Sequence, residues 1–439
     1  MNILIVTCIL PWPLHSGGHA SQYSTLKALS RDHSFRVVLT SYSHFSHEDA
    51  DQLEESLNCV SIVRPKPRQQ PELSIAKASR TSYLLRKFKS LIQRFLIKFP
   101  GQSGDNQVLI SINELKRPYF PFGPLSQETI SHINDNIDWA DIIQAEFHES
   151  LFAGFLPYAH VPKIFVCHQA HSIYTSTFYR DLLVATSPEL ALLSVMAEAD
   201  RLAAHAFECA AMSSFDHVIV FSDKDKQSLL PSCSTKLSVS PFPMPADVPL
   251  LKPDRSSFTT AKLVFVGPGY WHPNVDAINW FYHKVLIDLA KINSISTPVL
   301  HVVGRWDVKQ TLEYDSSLVC FHGYAEDVST VLIGAITINP VFTGAGLRTK
   351  LLAAAASSSP IISTTHGAEG TGLTHGKDCL LADSAECFAN SIVSLLQDKD
   401  LAYQLALNAF NHVSTLFSEE AVRVSRNNIY ESVCSHLQR

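Results

Sequence analysis

A strand–glycine turn–helix–strand pattern that occurs twice constrains the fold of this 439-residue chain most strongly. The first copy begins with the apolar run 2–8, passes a glycine turn into a helical stretch at 21–30, and ends in the apolar run 35–41. This order is typical of a βαβ unit, whose two strands are parallel. The same pattern restarts at 262–266. The repeated pattern therefore predicts two similar α/β halves.

A proline-rich stretch at 241–260 separates the two halves. Proline fixes φ and lacks a donor N–H, so it disfavours helices and central strands, and we interpret this stretch as a linker. We predict an α/β protein of two doubly wound Rossmann-like domains, 1–245 and 246–415, that face an interdomain cleft. Ligands of such sheets bind at the carboxyl ends of the strands, so we expect the site in that cleft. Further strands are expected at 141–144, 164–167, 217–221, 298–303, 319–321, 335–340 and 360–364, and further helices at 188–211, 274–289, 350–357 and 419–437.

Composition excludes several classes of protein. Hydrophobic residues make up 46% and charged residues 17%, which excludes a disordered chain, and the net charge of −6 argues against a nucleic-acid-binding protein. Nine scattered cysteines without a C-x-x-C pair argue against a zinc cluster or a disulfide framework, and favour the cytoplasm. No apolar stretch is long enough for a transmembrane helix, and the short run 3–10 lacks the basic flank of a signal peptide.

The stretch 339–370 carries the clearest chemical signal. A strand ends, the glycine loop Thr343–Gly346 follows, and a helix begins near Arg348 and Lys350. Glycines let backbone N–H groups approach an anion, and a helix N-terminus favours negative charge. With two cations beside it, the loop suits a diphosphate. The alternative is a plain turn into a helix with two solvated cations.

Six stretches in this order resemble the retaining, nucleotide-sugar-dependent glycosyltransferases of family four, which have the GT-B fold. They span nearly the whole chain, and the bacterial members that act on polysaccharides and lipid-linked glycans are the nearest in type. The matching stretches are Pro13 with Ser16–Gly18, Cys167–Gln169 with Tyr179–Arg180, Asp216–Asp225, Val264–Gly267 with Pro273–Ala277, Val302–Gly304 with Phe321–Asp327, and 339–370. The resemblance also implies that a C-terminal helix, 416–439, packs back onto the first domain.

The resemblance implies roles for individual residues. His168 would point at the donor sugar near the reacting carbon, and Arg348 and Lys350 would hold the diphosphate; these three form the expected catalytic set. The remaining residues would bind the nucleotide sugar: Gly17, Gly18, Gly267, His272, Asn274, Phe321, His322, Gly323, Thr343, Gly344, Ala345, Gly346, Leu347 and Glu369.

Two departures from the family pattern bear on activity. Family members usually carry two glutamates that bind the sugar and the ribose, and alignment on Pro360 puts these places at Ala345 and Ala353. The family's basic loop after Gly267 is replaced by 270–274, which contains no lysine or arginine. The diphosphate would then depend more on Arg348, Lys350 and the backbone.

The resemblance implies transfer of a sugar, with retention of configuration, from a nucleotide-sugar donor to a glycan or lipid-linked acceptor, without a metal or a cofactor. Two alternatives stay open. The chain is a degenerate member that binds a nucleotide or sugar, or scaffolds a partner, without catalysis; or it is an epimerase of the same fold.

The insert 64–100 has an unusual charge. Residues 64–98 contain ten lysines and arginines against one acid, Glu72. Within 83–99 the apolar residues occupy one arc of a helical wheel and the basic residues lie outside it, a pattern suited to an anionic membrane surface. The alternative is a helix whose apolar arc packs into the core of its own domain. The first would place a cytoplasmic enzyme on the inner face of the membrane.

Overall fold

A computed structural model describes residues 1–14, 16–41, 45–65, 124–169, 188–246, 248–258, 262–291, 298–344 and 346–437. The amphipathic helix predicted at 83–99 and nearly all of the insert 64–100 lie outside the described residues, as does Ala345.

The first sheet is parallel and, within the described residues, has seven strands in the order β3-β2-β1-β4-β5-β6-β7. The strand order reverses direction between β1 and β4, which is the kind of switch point where ligands bind in doubly wound sheets. These strands are β1 Asn2–Thr7, β2 Ser34–Leu39, β3 Val60–Ile62, β4 Ile142–Glu146, β5 Lys163–Cys167, β6 His217–Val220 and β7 Lys236–Val239.

The second sheet is also parallel and, over the part of the chain that is described, has the order β10-β9-β8-β11-β12-β13. Its switch point lies between β8 and β11, and the glycine loop follows β11. These strands are β8 Lys262–Val266, β9 Val299–Val303, β10 Val319–Gly323, β11 Ile336–Asn339, β12 Ile361–Ser363 and β13 Leu380–Leu381.

Helices cover both sheets because the strands are apolar on both faces. One buried apolar cluster contains Ile5 and Val37 of the first sheet together with Val264 and Leu351 of the second half, so the core is continuous between the two. The helices are Gly17–Leu29, His47–Ser56, Gln127–Asn134, Pro188–Met212, Asp223–Leu229, His272–Phe281, which continues through Tyr282–Leu286 to Ile287–Leu289, Val308–Thr311, Ser329–Leu332, Thr349–Ala356, Ala385–Gln397, Lys399–Leu416 and Glu419–Leu437.

The first glycine pair is already helical, which corrects the expectation of a loop there. Helix Gly17–Leu29 begins at Gly17 because the side chain of Ser16 caps it by accepting from the backbone N–H of His19. The glycine pair therefore forms the first turn of the helix, with its N–H groups directed out of the N-terminus.

The last helix, Glu419–Leu437, contacts helix Gly17–Leu29 of the first half. Its apolar residues Val422, Ile429, Tyr430 and Val433 are buried. We keep 1–245, 246–415 and 416–439 as the predicted limits of the units. Of the helices in the described ranges, none has both the length and the apolar character needed to cross a bilayer.

Candidate functional site

The carboxyl ends of β5 and β11 meet between the two sheets, and this meeting point is the candidate site. A Cβ placed on Gly346 would lie 3.1 Å from the carbonyl oxygen of His168 and 3.1 Å from the Cβ of Gln169. Likewise, a Cβ on Gly17 would lie 3.1 Å from Oγ1 of Thr349. The glycines therefore let the second half approach the first, and the predicted cleft brings together both glycine segments and His168.

The guanidinium of Arg348 holds the glycine loop in shape. Its Nη1 donates to the carbonyl of Gly346 at 2.6 Å, and its Nη2 donates to the carbonyl of Thr343 at 3.3 Å. Gly344 and Gly346 have φ of +100° and +76°, conformations that residues with a side chain rarely adopt. Burial lowers the pKa of Arg348 to about 10, while the charges of Glu369 and Asp225 act in the opposite direction. Arg348 is therefore charged at neutral pH and lies immediately before helix Thr349–Ala356.

Lys350 points into the second half of the molecule. Its Nζ donates to Oδ1 of Asn274 at 2.7 Å and lies 4.1 Å from the centre of the Phe265 ring. Burial, followed by the nearby charge of Arg348, lowers the pKa of Lys350 well below its usual range. Asn274 in turn donates from Nδ2 to the carbonyl of Pro268 at 2.9 Å, and it fills the space where a Cβ on Gly267 would be. The structure therefore joins Lys350, Asn274 and Gly267 into one polar contact beside the loop.

His168 follows β5 and is oriented by Glu146 and Phe147 at the end of the neighbouring strand β4. Its Nε2 lies 3.0 Å from Oε2 of Glu146, and its ring stacks on Phe147 with centroids 3.9 Å apart. Gly18 lies against the other side of this arrangement, since a Cβ there would meet the Phe147 ring at 3.3 Å. Because Nε2 faces the carboxylate, Nδ1 is the ring nitrogen left to contact a ligand.

A buried polar network that was not predicted from the sequence lies behind His168. Glu146 also accepts from Nε2 of Gln144 at 2.6 Å, and Oε1 of Gln144 accepts from the hydroxyl of Tyr430 at 2.6 Å. Arg426 of the last helix is 1% exposed, and its Nε and Nη1 have no hydrogen-bond partner among the described residues. Burial raises the pKa of Glu146, but the hydrogen bond and charge of His168, the charge of Arg426 and the hydrogen bond of Gln144 outweigh it and lower that pKa. The last helix thus contributes a positive charge to the environment of His168.

The only local sign of this network is a pair of polar residues in a buried strand. Gln144 and Glu146 are separated by two positions in β4, so their side chains lie on the same face. Both are buried, as every residue of that strand is.

Glu369 links the two halves. It pairs with Lys224 of helix Asp223–Leu229, and its Oε2 lies 3.3 Å from Nδ1 of His366. Nε2 of His366 lies 3.0 Å from the carbonyl oxygen of Gly344, so this histidine joins Glu369 to the glycine loop. Although burial raises the pKa of Glu369, hydrogen bonds from His366 and Lys224 lower it to about 2. The carboxylate is therefore ionised over the whole physiological range.

The other predicted site residues have contacts on the second sheet or beside the loop. Phe321 packs on Trp306 with ring centroids 5.3 Å apart, and His322 is hydrogen-bonded to His301. His272 lies 2.9 Å from Asp276, whose carboxylate raises the pKa of the imidazole.

Gly323 and Leu347 are two further predicted residues. Gly323 ends β10 with a φ of +71°, and Leu347 lies close to Gly370. Ala353 is 5% exposed within helix Thr349–Ala356, so an apolar methyl group occupies the position of the second family glutamate.

Comparison with known proteins supports the resemblance. Residues 260–398 match the family model described as "Glycosyl transferases group 1". A Klebsiella pneumoniae protein described as an "Uncharacterized 44.6 kDa protein in cps region" is 25% identical over 194 residues, which are 41% of this chain and 49% of that protein. The match therefore spans about half the length of this curated relative.

Two solved structures extend the likeness to the whole fold. A mutant of S. aureus TarM in complex with fondaparinux, alpha-GlcNAc-glycerol and UDP has a TM-score of 0.63 at 10% identity, with 98% of this chain and 99% of that chain covered. Anabaena Alr3699/HepE in complex with UDP-glucose has a TM-score of 0.61 at 13% identity, with 98% and 99% covered. These comparisons confirm the predicted fold, two Rossmann-like domains of the GT-B type, and the predicted resemblance to glycosyltransferases.

Proposed function

We propose that this protein is a glycosyltransferase that moves a sugar from a nucleotide-sugar donor to a glycan or lipid-linked acceptor. One observation carries the proposal. A glycine loop with a charged arginine opens helix Thr349–Ala356 and packs directly against the loop of His168 from the other half. Backbone N–H groups, a helix N-terminus and a guanidinium together suit the diphosphate of a nucleotide sugar. The match to the glycosyltransferase family model covers this loop.

In this proposal the leaving diphosphate lies on the glycine loop. Arg348 and the N–H groups at the start of the helix stabilise the charge that develops on the departing phosphate. Lys350, held on Asn274 beside the loop, is the second side chain proposed to hold the diphosphate, and His168 contacts a sugar hydroxyl near the reacting carbon. The N–H groups of Gly17 and Gly18 face the same space from the first half.

The residues proposed to bind the nucleotide sugar are those expected from the sequence. The glycine loop, Leu347 and Glu369 surround the sugar diphosphate. Gly267 after β8, His272 and Asn274 at the start of the following helix, and Phe321, His322 and Gly323 of β10 lie toward the nucleotide. Since both similar structures were solved with UDP or UDP-glucose, UDP-sugars are the first donors to test.

We propose that configuration is retained. The acceptor hydroxyl would attack the face that the phosphate leaves and pass its proton to a departing phosphate oxygen. The protein would then act by positioning the two substrates and stabilising charge. No cofactor takes part in this scheme, because Arg348 and the helix N-terminus supply the positive charge. The glycan ligands of the TarM complex support a glycan acceptor, and a membrane-bound acceptor would use the predicted helix 83–99.

The test is release of nucleoside diphosphate from a panel of UDP-sugars and other nucleotide sugars, with and without glycan acceptors. Arg348→Ala should lower turnover by about 10²–10³ and weaken donor binding, because it removes a preorganised contact to the leaving group. Arg255→Ala is the matched control: Arg255 is exposed and pairs with Asp400 on the surface, so activity should not change. Unchanged donor affinity and turnover in Arg348→Ala would contradict the diphosphate assignment.

A second candidate function is binding without catalysis. The buried methyl group of Ala353 favours a degenerate member, which binds a nucleotide or sugar or scaffolds a partner, because the carboxylate expected there is missing. In that case a nucleotide sugar would raise the unfolding temperature of the protein. It would release no nucleoside diphosphate with any acceptor, which distinguishes this candidate from transfer.

A further inference from the structure

Two histidines and a cysteine converge on one face of the second sheet. His301 belongs to β9, and Cys320 and His322 belong to the edge strand β10. Cys320 pairs directly with His301 in the parallel register, and the register shifts between Phe321 and Gly323. This irregularity contains His322, and β-bulges of this kind redirect a side chain. His301 and His322 are thereby brought together across the two strands.

The ligand atoms of the three residues are close enough to share one ion. Nδ1 of His301 lies 2.7 Å from Nε2 of His322, and the two rings are stacked with centroids 5.0 Å apart. The nitrogen and sulfur atoms of the whole group lie within 4.8 Å of one another. His301 and Cys320 are half-buried, and His322 is exposed. A metal can therefore enter from solvent while two of its ligands are held by the sheet.

We propose that His301, Cys320 and His322 form a binding site for a thiophilic divalent metal, Zn²⁺. Two imidazoles and a thiolate are a ligand set that zinc takes in proteins, and three protein ligands leave a fourth position for water. Binding would replace the hydrogen bond between the imidazoles with two metal–nitrogen bonds, and the Cys320 thiol would lose its proton as the metal–sulfur bond forms. The bound metal would fasten edge strand β10 to β9.

Lys262 lies in β8, the strand next to β9, and its charge acts on His301. That charge also repels a cation, so we expect Lys262→Met to strengthen metal binding. This site differs from the zinc clusters that a C-x-x-C pair indicates, because strand pairing brings together residues that are about twenty positions apart in the sequence. Metal binding does not require glycosyl transfer, although His322 also belongs to the proposed nucleotide-binding set.

The experiment uses Co²⁺ as a spectroscopic substitute for Zn²⁺. The full chain, stripped of metal with a chelator, is titrated with Co²⁺ and its absorbance is recorded. We expect saturation at one equivalent, a thiolate-to-cobalt charge-transfer band, and displacement of that band by Zn²⁺. The band should disappear in Cys320→Ser and persist in Cys387→Ser, which removes an exposed cysteine of the same half.

A second variant tests the site without disturbing the core. His322 is exposed, so His322→Ala should fold normally, and its affinity for Co²⁺ should fall by more than an order of magnitude. Absence of a thiolate band in the unmodified chain would overturn the proposal. So would a band that survives Cys320→Ser, or an unchanged affinity in His322→Ala.

Discussion

Replacing Arg426 with leucine should destabilise the protein strongly. Arg426 is among the largest fully buried side chains, and its guanidinium carbon lies 5.6 Å from the centre of the Phe221 ring. Its charge is one of the influences that keep the buried Glu146 ionised. Removing one partner of a buried ion pair costs about 3–5 kcal/mol, because the remaining charge stays buried. Arg426 acts on Glu146 through its charge and not through a direct ion pair, and His168 still interacts with Glu146, so we expect no more than the lower end, about 3 kcal/mol.

For a folding unit of roughly 200 residues this loss lowers the midpoint of thermal unfolding by about 6–12 °C. The assay is thermal unfolding at pH 7 of Arg426→Leu, Glu146→Gln and the double variant. Because the glutamine carries no charge, the double variant should recover much of the stability lost in Arg426→Leu. The difference between the sum of the single effects and the double effect measures the coupling of the two residues.

The matched control lies one turn earlier on the same helix. Arg423 is 31% exposed in its side chain and pairs with Glu420 and Asp32, so Arg423→Leu should cost less than about 1 kcal/mol. The reasoning is refuted if Arg426→Leu costs no more than Arg423→Leu. It is also refuted if the double variant is as unstable as the two single losses added together, since the charges would then be uncoupled.

Two further predictions concern the contact between the halves. Gly346→Ala should reduce turnover and should lower the free energy of unfolding more than Gly376→Ala. Both glycines have positive φ, so a side chain at either position costs about 1–2 kcal/mol of backbone strain. A Cβ at 346 would also meet His168 and Gln169, whereas nothing lies within 4 Å of a Cβ at 376. Equal costs would show that the close approach is unimportant. The pKa of Glu369 falls from 4.5 to about 2 in the folded protein, so its stabilisation is complete above pH 4.5 and is lost as the pH falls toward 2. Acid titration of stability in Glu369→Gln should therefore be flatter in that range, and an unchanged curve would contradict the assignment.

The repeating strand pattern was readable from the sequence because it is local. Short runs of three or four consecutive apolar residues, flanked by turn residues, predicted β1, β2 and β8 to within two positions. The short strands β3, β7 and β13 were missed, since Val60–Ile62 and Leu380–Leu381 are too brief to show a period.

The candidate site was predictable only in part. The glycine loop and the two cations beside it are contiguous in sequence, so the helix start after Arg348 was expected and found. The direction of the Lys350 side chain could not be predicted, because its partner Asn274 lies 76 positions away in the sequence. The network behind His168 depends on Tyr430 reaching Gln144 across 286 positions, and no local pattern reports such a contact.

The same separation has a consequence for biosynthesis. Glu146 and Gln144 are synthesised early, while Arg426 and Tyr430 follow about 280 residues later. At ~5–20 residues per second this interval is roughly 15–55 seconds, during which the nascent first sheet holds a buried carboxylate without its distant counter-charge. We expect that sheet to stay loosely packed on the ribosome, with its surface open to chaperones, until the last helix is released to complete it.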